Sequence, residues 1–313
     1  MNDLVISAPA SSANLGAGFD AVGIGIEIRM EVHVRVLPAG STPVWEYAGP
    51  HAPTHDGIRT CIETAVARIA PHAPPLAVTL TNAIPLGAGL GSSAAAYAIG
   101  VALGAQLAPE PPADAVLARA VAELEGHPDN ALAAWYGGAI VAALDEADGL
   151  TSVRFPAPAV DAVVVVPAFI LPTSQARALL PRAYVRADAV YNIQRAALLG
   201  AALATGQLDL LRAAVRDRLH QPYRAKAIPG LEAILAYDDP ALVALALSGA
   251  GPSVLALVRA DGRRIGEALA GLFTANGLQA EVLTPRLASA GVTISSPAPA
   301  RQARGAAVGR ENG

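Results

Sequence analysis

Apolar and polar residues alternate without a break over residues 24–36, where Ile, Met and Val alternate with Gly, Glu, Arg and His. A period of two over this length predicts a strand in a sheet that has one face toward solvent. Residues 76–80 repeat the pattern in a shorter strand. His33 falls on the polar face, so we expect its imidazole to be solvated.

Segments in which the apolar residues have the spacing of a helix lie between these strands and after them. Apolar residues three and four apart predict a helix around Cys61, whose thiol we expect to be buried because free cysteine is usually a core residue. Residues 92–107 predict an alanine-rich helix, and residues 113–125 predict a helix with one apolar face. Residues 139–144 predict a buried strand.

The second half of the chain has a mixed pattern. A proline-containing stretch at residues 155–158 predicts a domain boundary, so we divide the chain into domains at 1–157 and 158–294. Residues 295–313, rich in Pro, Ala, Gly and Arg, predict a disordered tail. Within the second domain we predict strands at 162–166 and 280–283, strands on both sides of the turn at 249–252, and helices at 188–204, 208–219 and 265–276. This order indicates an α+β unit.

Composition limits the partners of the chain. Its 313 residues are 53% hydrophobic, and its formal net charge is −4. Because no long run of one charge sign occurs, we expect neither nucleic acid nor a membrane as a partner. Residues 1–8 lack the basic cluster of a signal peptide, and glycines interrupt the apolar stretch at 241–258, so we expect a cytoplasmic protein.

Cysteine and lysine are each used once. A single cysteine, Cys61, excludes an intrachain disulfide and a cysteine-rich metal site. Lys226 is the only lysine, so the lysine that a Walker-type phosphate loop requires beside its glycines is missing.

Residues 84–96, with the sequence IPLGAGLGSSAAA, are the most informative segment. Three glycines in five residues leave the backbone uncovered and permit left-handed dihedral angles that turn N–H groups inward. Two serines then begin an alanine-rich helix, whose free N–H groups and positive dipole end favour phosphate. The segment therefore predicts a phosphate site that needs no lysine, although a bare glycine loop with serine caps is also an ordinary turn.

This segment resembles the ATP-binding motif of the GHMP kinases, which include galactokinases, homoserine kinases and mevalonate kinases. The resemblance implies that ATP contacts an unbroken run of eleven residues. These are Pro85, Leu86, Gly87, Ala88, Gly89, Leu90, Gly91, Ser92, Ser93, Ala94 and Ala95.

Four further segments resemble motifs of the homoserine kinases in particular, in the order typical of that family. They are residues 9–20 (PASSANLGAGFD), 125–130 (EGHPDN), 217–224 (DRLHQPYR) and 247–253 (LSGAGPS). The resemblance extends over about residues 4–290. Two positions depart from the pattern, because Ala17 stands where proline is usual and no proline follows Asn130 at residues 132–134.

The resemblance implies a fold and an activity. The fold is the two-domain α+β fold of GHMP kinases, with an N-terminal half similar to ribosomal protein S5 domain 2, a ferredoxin-like C-terminal half, and the active site between them. The activity is ATP-dependent phosphorylation of the L-homoserine hydroxyl to O-phospho-L-homoserine in threonine biosynthesis, with Mg²⁺. Homoserine kinases are often dimers, so a homodimer is expected.

The resemblance also implies residues for the substrate. Asp20 is expected to accept the ammonium group of homoserine. Arg177 and Arg224 are expected to bind its carboxylate, for which the guanidinium group is well shaped. His127 and Gly249 are expected to contact the substrate.

Two asparagines, Asn14 and Asn130, are implied to orient the reacting hydroxyl. Asparagine cannot accept a proton, so we predict catalysis by positioning, with the proton passing to the phosphate or to water. Asp129 is the weaker candidate for a general base.

Ser93 and one glutamate are implied to bind Mg²⁺. Glu125 is preferred and Glu123 remains the alternative, because a gap in the local match leaves the choice open.

Three other functions compete with this interpretation. A GHMP kinase for mevalonate, a sugar or shikimate shares the glycine loop, but the Asp129–Asn130 pair and the segments that contain Arg177 and Arg224 favour an amino-acid substrate. A non-catalytic nucleotide or amino-acid sensor would share the fold. A dehydrogenase is disfavoured, because glycines 87, 89 and 91 do not have dinucleotide-binding spacing.

Overall fold

The structure is a computed structural model, and it describes residues 3–145, 147 and 149–296. The strands are β1 (Leu4–Ala13), β2 (Val22–Val36), β3 (Val44–Ala48), β4 (Leu76–Asn82), β5 (Ala139–Asp145), β6 (Gly149–Phe155), β7 (Asp161–Pro167), β8 (Leu242–Leu247), β9 (Val254–Val258), β10 (Ala280–Leu283) and β11 (Thr293–Ser295). The helices are α1 (Gly57–Ile69), α2 (Ser92–Leu107), α3 (Asp114–Glu125), α4 (Pro128–Tyr136), α5 (Thr173–Ala178), α6 (Arg186–Thr205), α7 (Leu211–Ala214), α8 (Gln221–Ala225), α9 (Leu231–Leu235) and α10 (Gly262–Ala275).

The first sheet is organised around the long strand β2. β1 pairs along β2 on one side, while β4 and β5 pair with its two ends on the other side. β3 joins β4 in parallel, and β6 joins β5. Helices α2 and α4 pack against β1 and β2, and their alanines let the helices approach the sheet closely.

The second sheet has the order β10-β7-β9-β8, and every described pair is antiparallel. The chain runs from β7 through helices to β8, directly on to β9, and through α10 to β10. This order is that of a ferredoxin-like unit. The predicted α+β fold with two unlike halves is confirmed, and the second core includes Phe273, whose side chain is completely buried.

The end of the described chain returns to the first sheet. Leu287 forms a bridge with Ile26, and β11 pairs with the start of β1. Ser295, where the predicted tail begins, is therefore the last residue of a strand. Residues 297–313, the remainder of that predicted tail, lie outside the described residues.

Two local predictions are wrong. The helix predicted at 208–219 is a 3₁₀ turn (Leu208–Leu210) followed by the single turn α7. It ends there because the Asp217 carboxylate accepts hydrogen bonds from the backbone N–H groups of Leu219, His220 and Gln221, which gives the backbone an alternative to helical bonding. Cys61 is only partly buried, at the edge of the first core.

Candidate active site

A cleft lies between the glycine loop that precedes α2 and the turn that joins β8 to β9. The loop after β1, the start of α4, helix α5 and helix α8 complete its walls. Fifteen of the predicted site residues line it, namely Asn14, Asp20, Gly87, Gly89, Leu90, Gly91, Ser92, Ser93, Glu125, His127, Asp129, Asn130, Arg177, Arg224 and Gly249. Segments far apart in the sequence therefore meet at one site.

The glycine loop is held from behind through its carbonyl groups. The Ala88 carbonyl accepts a hydrogen bond of 3.2 Å from the Ser253 N–H group. The Gly89 carbonyl accepts a bond from the Ser248 hydroxyl at 2.8 Å, and the Leu90 carbonyl accepts one from the Ser11 N–H group at 3.1 Å. Because three consecutive carbonyls are bonded to β1 and to the β8–β9 turn, the loop is fixed before any ligand binds.

Two glycines of this loop cannot be replaced without a collision. Gly89 has φ +76°, and a Cβ atom there would lie 2.3 Å from the Ser248 carbonyl oxygen. Gly91 has φ +65°, and a Cβ atom there would lie 2.0 Å from the Ser11 hydroxyl oxygen. The loop therefore presents bare backbone to the cleft immediately before the N-terminus of α2, an arrangement that favours phosphate.

Ser93 and Glu125 meet at the edge of this loop. The Ser93 hydroxyl donates a hydrogen bond of 2.9 Å to the Glu125 carboxylate. Burial raises the pKa of Glu125 to about 7. Glu123 instead points to the surface, where it pairs with Arg119 and Arg68, so Glu125 is the glutamate that faces the cleft.

The donor set at this point fits Mg²⁺ bound together with phosphate. No group of three or more His, Cys, Asp or Glu side chains that could hold a metal ion occurs among the described residues. Mg²⁺ nevertheless commonly takes one or two protein oxygens and completes its shell with phosphate and water. A hydroxyl and a carboxylate beside a phosphate loop meet that requirement.

The loop after β1 has an unusual backbone. Asn14, Leu15 and Asp20 all have positive φ angles. The Asn14 side chain stabilises this conformation, because its Oδ1 accepts a bond of 2.9 Å from the Asp20 N–H group and its amide donates a bond of 2.8 Å to the Gly249 carbonyl. Asn14 thus joins the two halves of the cleft.

Asp129 and Asn130 begin α4, where Pro128 occupies the first turn without losing a helical hydrogen bond. The Asp129 side chain is 1% exposed, and its carboxylate accepts a hydrogen bond of 2.7 Å from the backbone N–H group of Asn130. Burial raises its pKa to about 7. The Asn130 Oδ1 accepts a bond of 2.8 Å from the Ser11 hydroxyl.

Opposite charges face each other at the mouth of the cleft. Arg177, on α5, donates to both carboxylate oxygens of Asp20 at 3.0–3.1 Å. It also donates to the His127 Nε2 atom at 2.7 Å. The residues predicted to bind the ammonium and carboxylate groups of the substrate therefore pair with each other in this structure.

Arg224 is a buried cation at the back of the cleft. Its side chain is 1% exposed, and its Nη1 group donates to the Gly249 carbonyl at 3.0 Å and to the His220 Nδ1 atom at 3.1 Å. Within the described part of the chain its Nε group has no partner and no carboxylate forms a salt bridge with it. Burial lowers the pKa of Arg224 to about 10.

Comparisons with known proteins place this site in a family. The models of the GHMP kinases N terminal domain and the GHMP kinases C terminal domain match residues 58–138 and 197–275. The homoserine kinase of Solibacter usitatus is 41% identical over 286 residues, which cover 89% of this chain and 92% of that protein. The homoserine kinase of Deinococcus radiodurans is 42% identical over 300 residues, which cover 92% and 96%.

The chain belongs to the homoserine kinase family of the GHMP kinases. The resemblance inferred from the sequence motifs is thereby confirmed. The crystal structure of the Cytophaga hutchinsonii homoserine kinase shares the fold, with a TM-score of 0.80 at 24% identity over 94% of this chain and 98% of that one. The Lactococcus lactis galactokinase shares it with a TM-score of 0.61 at 13% identity over 93% and 95%.

Five residues predicted to bind ATP do not line the cleft of this homoserine kinase family member. These are Pro85, Leu86 and Ala88 in the loop, and Ala94 and Ala95 in α2. Ala94 and Ala95 are fully buried, so their side chains pack in the core and do not face the cleft.

Other residues of the site were not predicted from the sequence. Ser11, Ser248 and His220 fix the loops and Arg224 through hydrogen bonds, and the segment from Leu171 to Thr173 lines the cleft. Ser11 and Ser248 lie within the family motifs at residues 9–20 and 247–253. The motifs identify these segments as part of the site, but they do not show which hydrogen bonds the two serines form. Asn192 accepts a hydrogen bond of 2.9 Å from the Arg218 backbone N–H group.

No helix in the described part of the chain is both long enough and apolar enough to cross a bilayer.

Proposed function

We propose that this protein phosphorylates the side-chain hydroxyl of L-homoserine with ATP, giving O-phospho-L-homoserine and ADP as a step of threonine biosynthesis. One observation carries the proposal. Arg224, a buried guanidinium without a salt bridge in the described part of the chain, and the Asp20–Arg177 ion pair lie in the same cleft as the glycine loop.

The charges of the cleft complement a zwitterionic amino acid. Burying a cation without a carboxylate partner is costly, so Arg224 favours a ligand that brings a carboxylate. Asp20 and Arg177 offer one acceptor for an ammonium group and a second guanidinium for the carboxylate. Mevalonate and shikimate carry a carboxylate but no ammonium group, and neutral sugars carry neither.

Phosphoryl transfer requires alignment and neutralisation of charge more than covalent help. In the proposal, the backbone from Gly87 to Ser93 binds the phosphates of ATP. Ser93 and Glu125 would hold Mg²⁺, which supplies positive charge to the phosphate oxygens. Asn14 and Asn130 orient the homoserine hydroxyl toward the terminal phosphorus.

The bond changes balance without a protein base. The bond from the hydroxyl oxygen to the terminal phosphorus forms while the bond from that phosphorus to the bridging oxygen of ADP breaks. The hydroxyl proton passes to a phosphate oxygen or to water. Asp129 supports this account, because its carboxylate accepts a hydrogen bond from the Asn130 backbone N–H group and so helps to hold Asn130 in place.

An ADP-release assay with ATP and Mg²⁺ tests the proposal. L-homoserine should stimulate ADP formation, whereas mevalonate, galactose and shikimate should not. A protein that binds ATP but turns over none of these substrates would instead be a sensor. If Asp129→Ala abolishes turnover at every pH while Asn130→Ala stays near normal, catalysis by positioning is wrong.

The location and oligomeric state of the protein form a separate proposal. We propose a cytoplasmic homodimer without nucleic-acid or membrane partners, from the charge distribution and the usual state of the family. Sedimentation analysis tests the dimer directly.

A further inference from the structure

His220 is a fully buried histidine between the two parts of the substrate site. It immediately precedes α8, and its ring stacks on Phe19 with a centroid distance of 4.9 Å and an angle of 18°. Its two ring nitrogens contact different elements. Nε2 lies 2.8 Å from the Gly16 carbonyl oxygen, and Nδ1 lies 3.1 Å from the Arg224 Nη1 atom.

These contacts determine the protonation state of the ring. A guanidinium can only donate hydrogen bonds, so Nδ1 must accept the bond from Arg224. A carbonyl can only accept, so Nε2 must carry the proton that is donated to Gly16. Both bonds form only in the neutral tautomer with hydrogen on Nε2, and a proton on Nδ1 would set two donors against each other.

The charges around the ring are mixed. Arg224 faces Nδ1, while the buried Asp217 carboxylate lies 3.6 Å from Nε2 and itself accepts three backbone N–H groups. Asp20 contributes a more distant negative charge. Burial is the largest influence, and it lowers the pKa of His220 below its usual value, as Arg224 also does. The ring is therefore neutral at pH 7.

We propose that His220 is a positioning residue for the amino-acid substrate. It ties the Arg224 guanidinium to the backbone of the Asn14–Asp20 loop, so that Arg224 meets the substrate carboxylate. The inference rests on the proposed function in so far as the carboxylate belongs to L-homoserine. Without His220, Arg224 keeps its bond to Gly249 but loses the contact that orients it toward the loop.

The decisive comparison uses two substrates and three variants. L-homoserine and 3-aminopropan-1-ol share the hydroxyl and the amine, and only the first has a carboxylate. His220→Phe retains a ring that can stack on Phe19 but has no ring nitrogen, whereas His220→Gln retains one donor and one acceptor. His33→Gln is the matched control, because His33 is exposed and its one ion-pair partner among the described residues is Glu31.

His220→Phe should raise the KM for L-homoserine by about tenfold or more, as expected for loss of a hydrogen bond to a charged group. It should leave the KM for ATP, and kcat/KM for 3-aminopropan-1-ol, within about twofold of wild type. His220→Gln should recover part of the loss, and His33→Gln should have no effect. Equal losses with both substrates, or an unchanged KM for L-homoserine, would overturn the proposal.

Binding measurements separate this inference from the proposed function. Calorimetry with L-homoserine and 3-aminopropan-1-ol should show the same selective loss in His220→Phe. If wild type binds L-homoserine without turning it over, the proposed function fails while the role of His220 is still tested. If wild type does not bind L-homoserine, the role of His220 fails as well.

Nitrogen-15 NMR of the histidines in the wild-type protein tests the tautomer even if His220→Phe does not fold. The inference predicts a neutral His220 ring with hydrogen on Nε2 at pH 7. A ring that is protonated, or that carries hydrogen on Nδ1, contradicts it.

Discussion

Replacing Gly89 by alanine tests whether bare backbone at the glycine loop binds ATP. A Cβ atom at residue 89 would lie 2.3 Å from the Ser248 carbonyl oxygen and 2.7 Å from the Gly251 carbonyl oxygen. Both neighbours are backbone atoms of the turn between β8 and β9, which cannot rotate away as a side chain could. Restoring van der Waals separation therefore requires the loop to move by about 1 Å.

The size of the effect follows from this movement. Alanine at a left-handed φ angle costs about 1 kcal/mol in the loop itself. A shift of the loop also misplaces the N–H groups that would donate to phosphate, and each such charge-assisted bond contributes about 1.5–3 kcal/mol. Loss of two bonds should raise the Kd for ATP by at least about 100-fold.

Calorimetric titration with a non-hydrolysable ATP analogue and Mg²⁺ measures this Kd, and circular dichroism shows whether the variant is folded. Gly40→Ala is the matched control, because Gly40 also has a positive φ (+83°) but no atom within 4 Å of the added Cβ. The control should bind within about twofold of wild type. A folded Gly89→Ala protein with the same affinity as the control would refute the reasoning.

Three further predictions concern the metal, pH and the core. Glu125→Gln should raise the Mg²⁺ concentration needed for half-maximal rate by at least about tenfold, and Glu123→Gln should not; equal effects would exclude Glu125 as the ligand. The pKa of Asp129 is raised to about 7 in the folded state. Between about pH 4 and 7 the folded state therefore retains a proton that the unfolded state releases. The contribution of Asp129 to the unfolding free energy should therefore fall between about pH 4 and 7 and stay level above. Thermal denaturation at several pH values should show wild type losing stability relative to Asp129→Asn across that window, and a constant gap would contradict this. Phe273→Ala should lower the unfolding free energy by about 3–5 kcal/mol in urea denaturation; a loss below about 1 kcal/mol would mean that the second core tolerates the cavity.

Elements with a clear local pattern could be predicted from the sequence. The helix Ser92–Leu107 has the predicted bounds, and β2 extends the predicted strand by only two residues. The alternation of apolar and polar residues in the strand is a local signal, and so are the serines and alanines that follow the glycine loop in the helix. The ferredoxin-like order of the second sheet came from the family resemblance, because strand order depends on contacts between distant segments.

Elements that depend on distant contacts could not be predicted. β11 is three exposed residues long, and it becomes a strand by pairing with β1 nearly the full length of the chain away. Helix α5 is too short for a periodic pattern, although it carries Arg177 to Asp20 across 157 positions. The family resemblance supplied those two site residues, but the ion pair between them required the structure.

A sequence motif also cannot show which buried polar side chains are in contact. His220 stands in the segment DRLHQPYR beside Arg224, so the sequence places the two residues together. It gives no sign that the imidazole joins that arginine to Gly16, which is 204 positions away. Such roles depend on which ring atom faces which neighbour.

Phosphorus-31 NMR of a reaction with L-homoserine, ATP and Mg²⁺ tests the central claim most directly. We predict one new phosphomonoester signal, coupled to the side-chain methylene protons of homoserine and equal in amount to the ADP formed. ADP formed without that ester, or no consumption of ATP, would contradict the assignment of this cleft to homoserine phosphorylation.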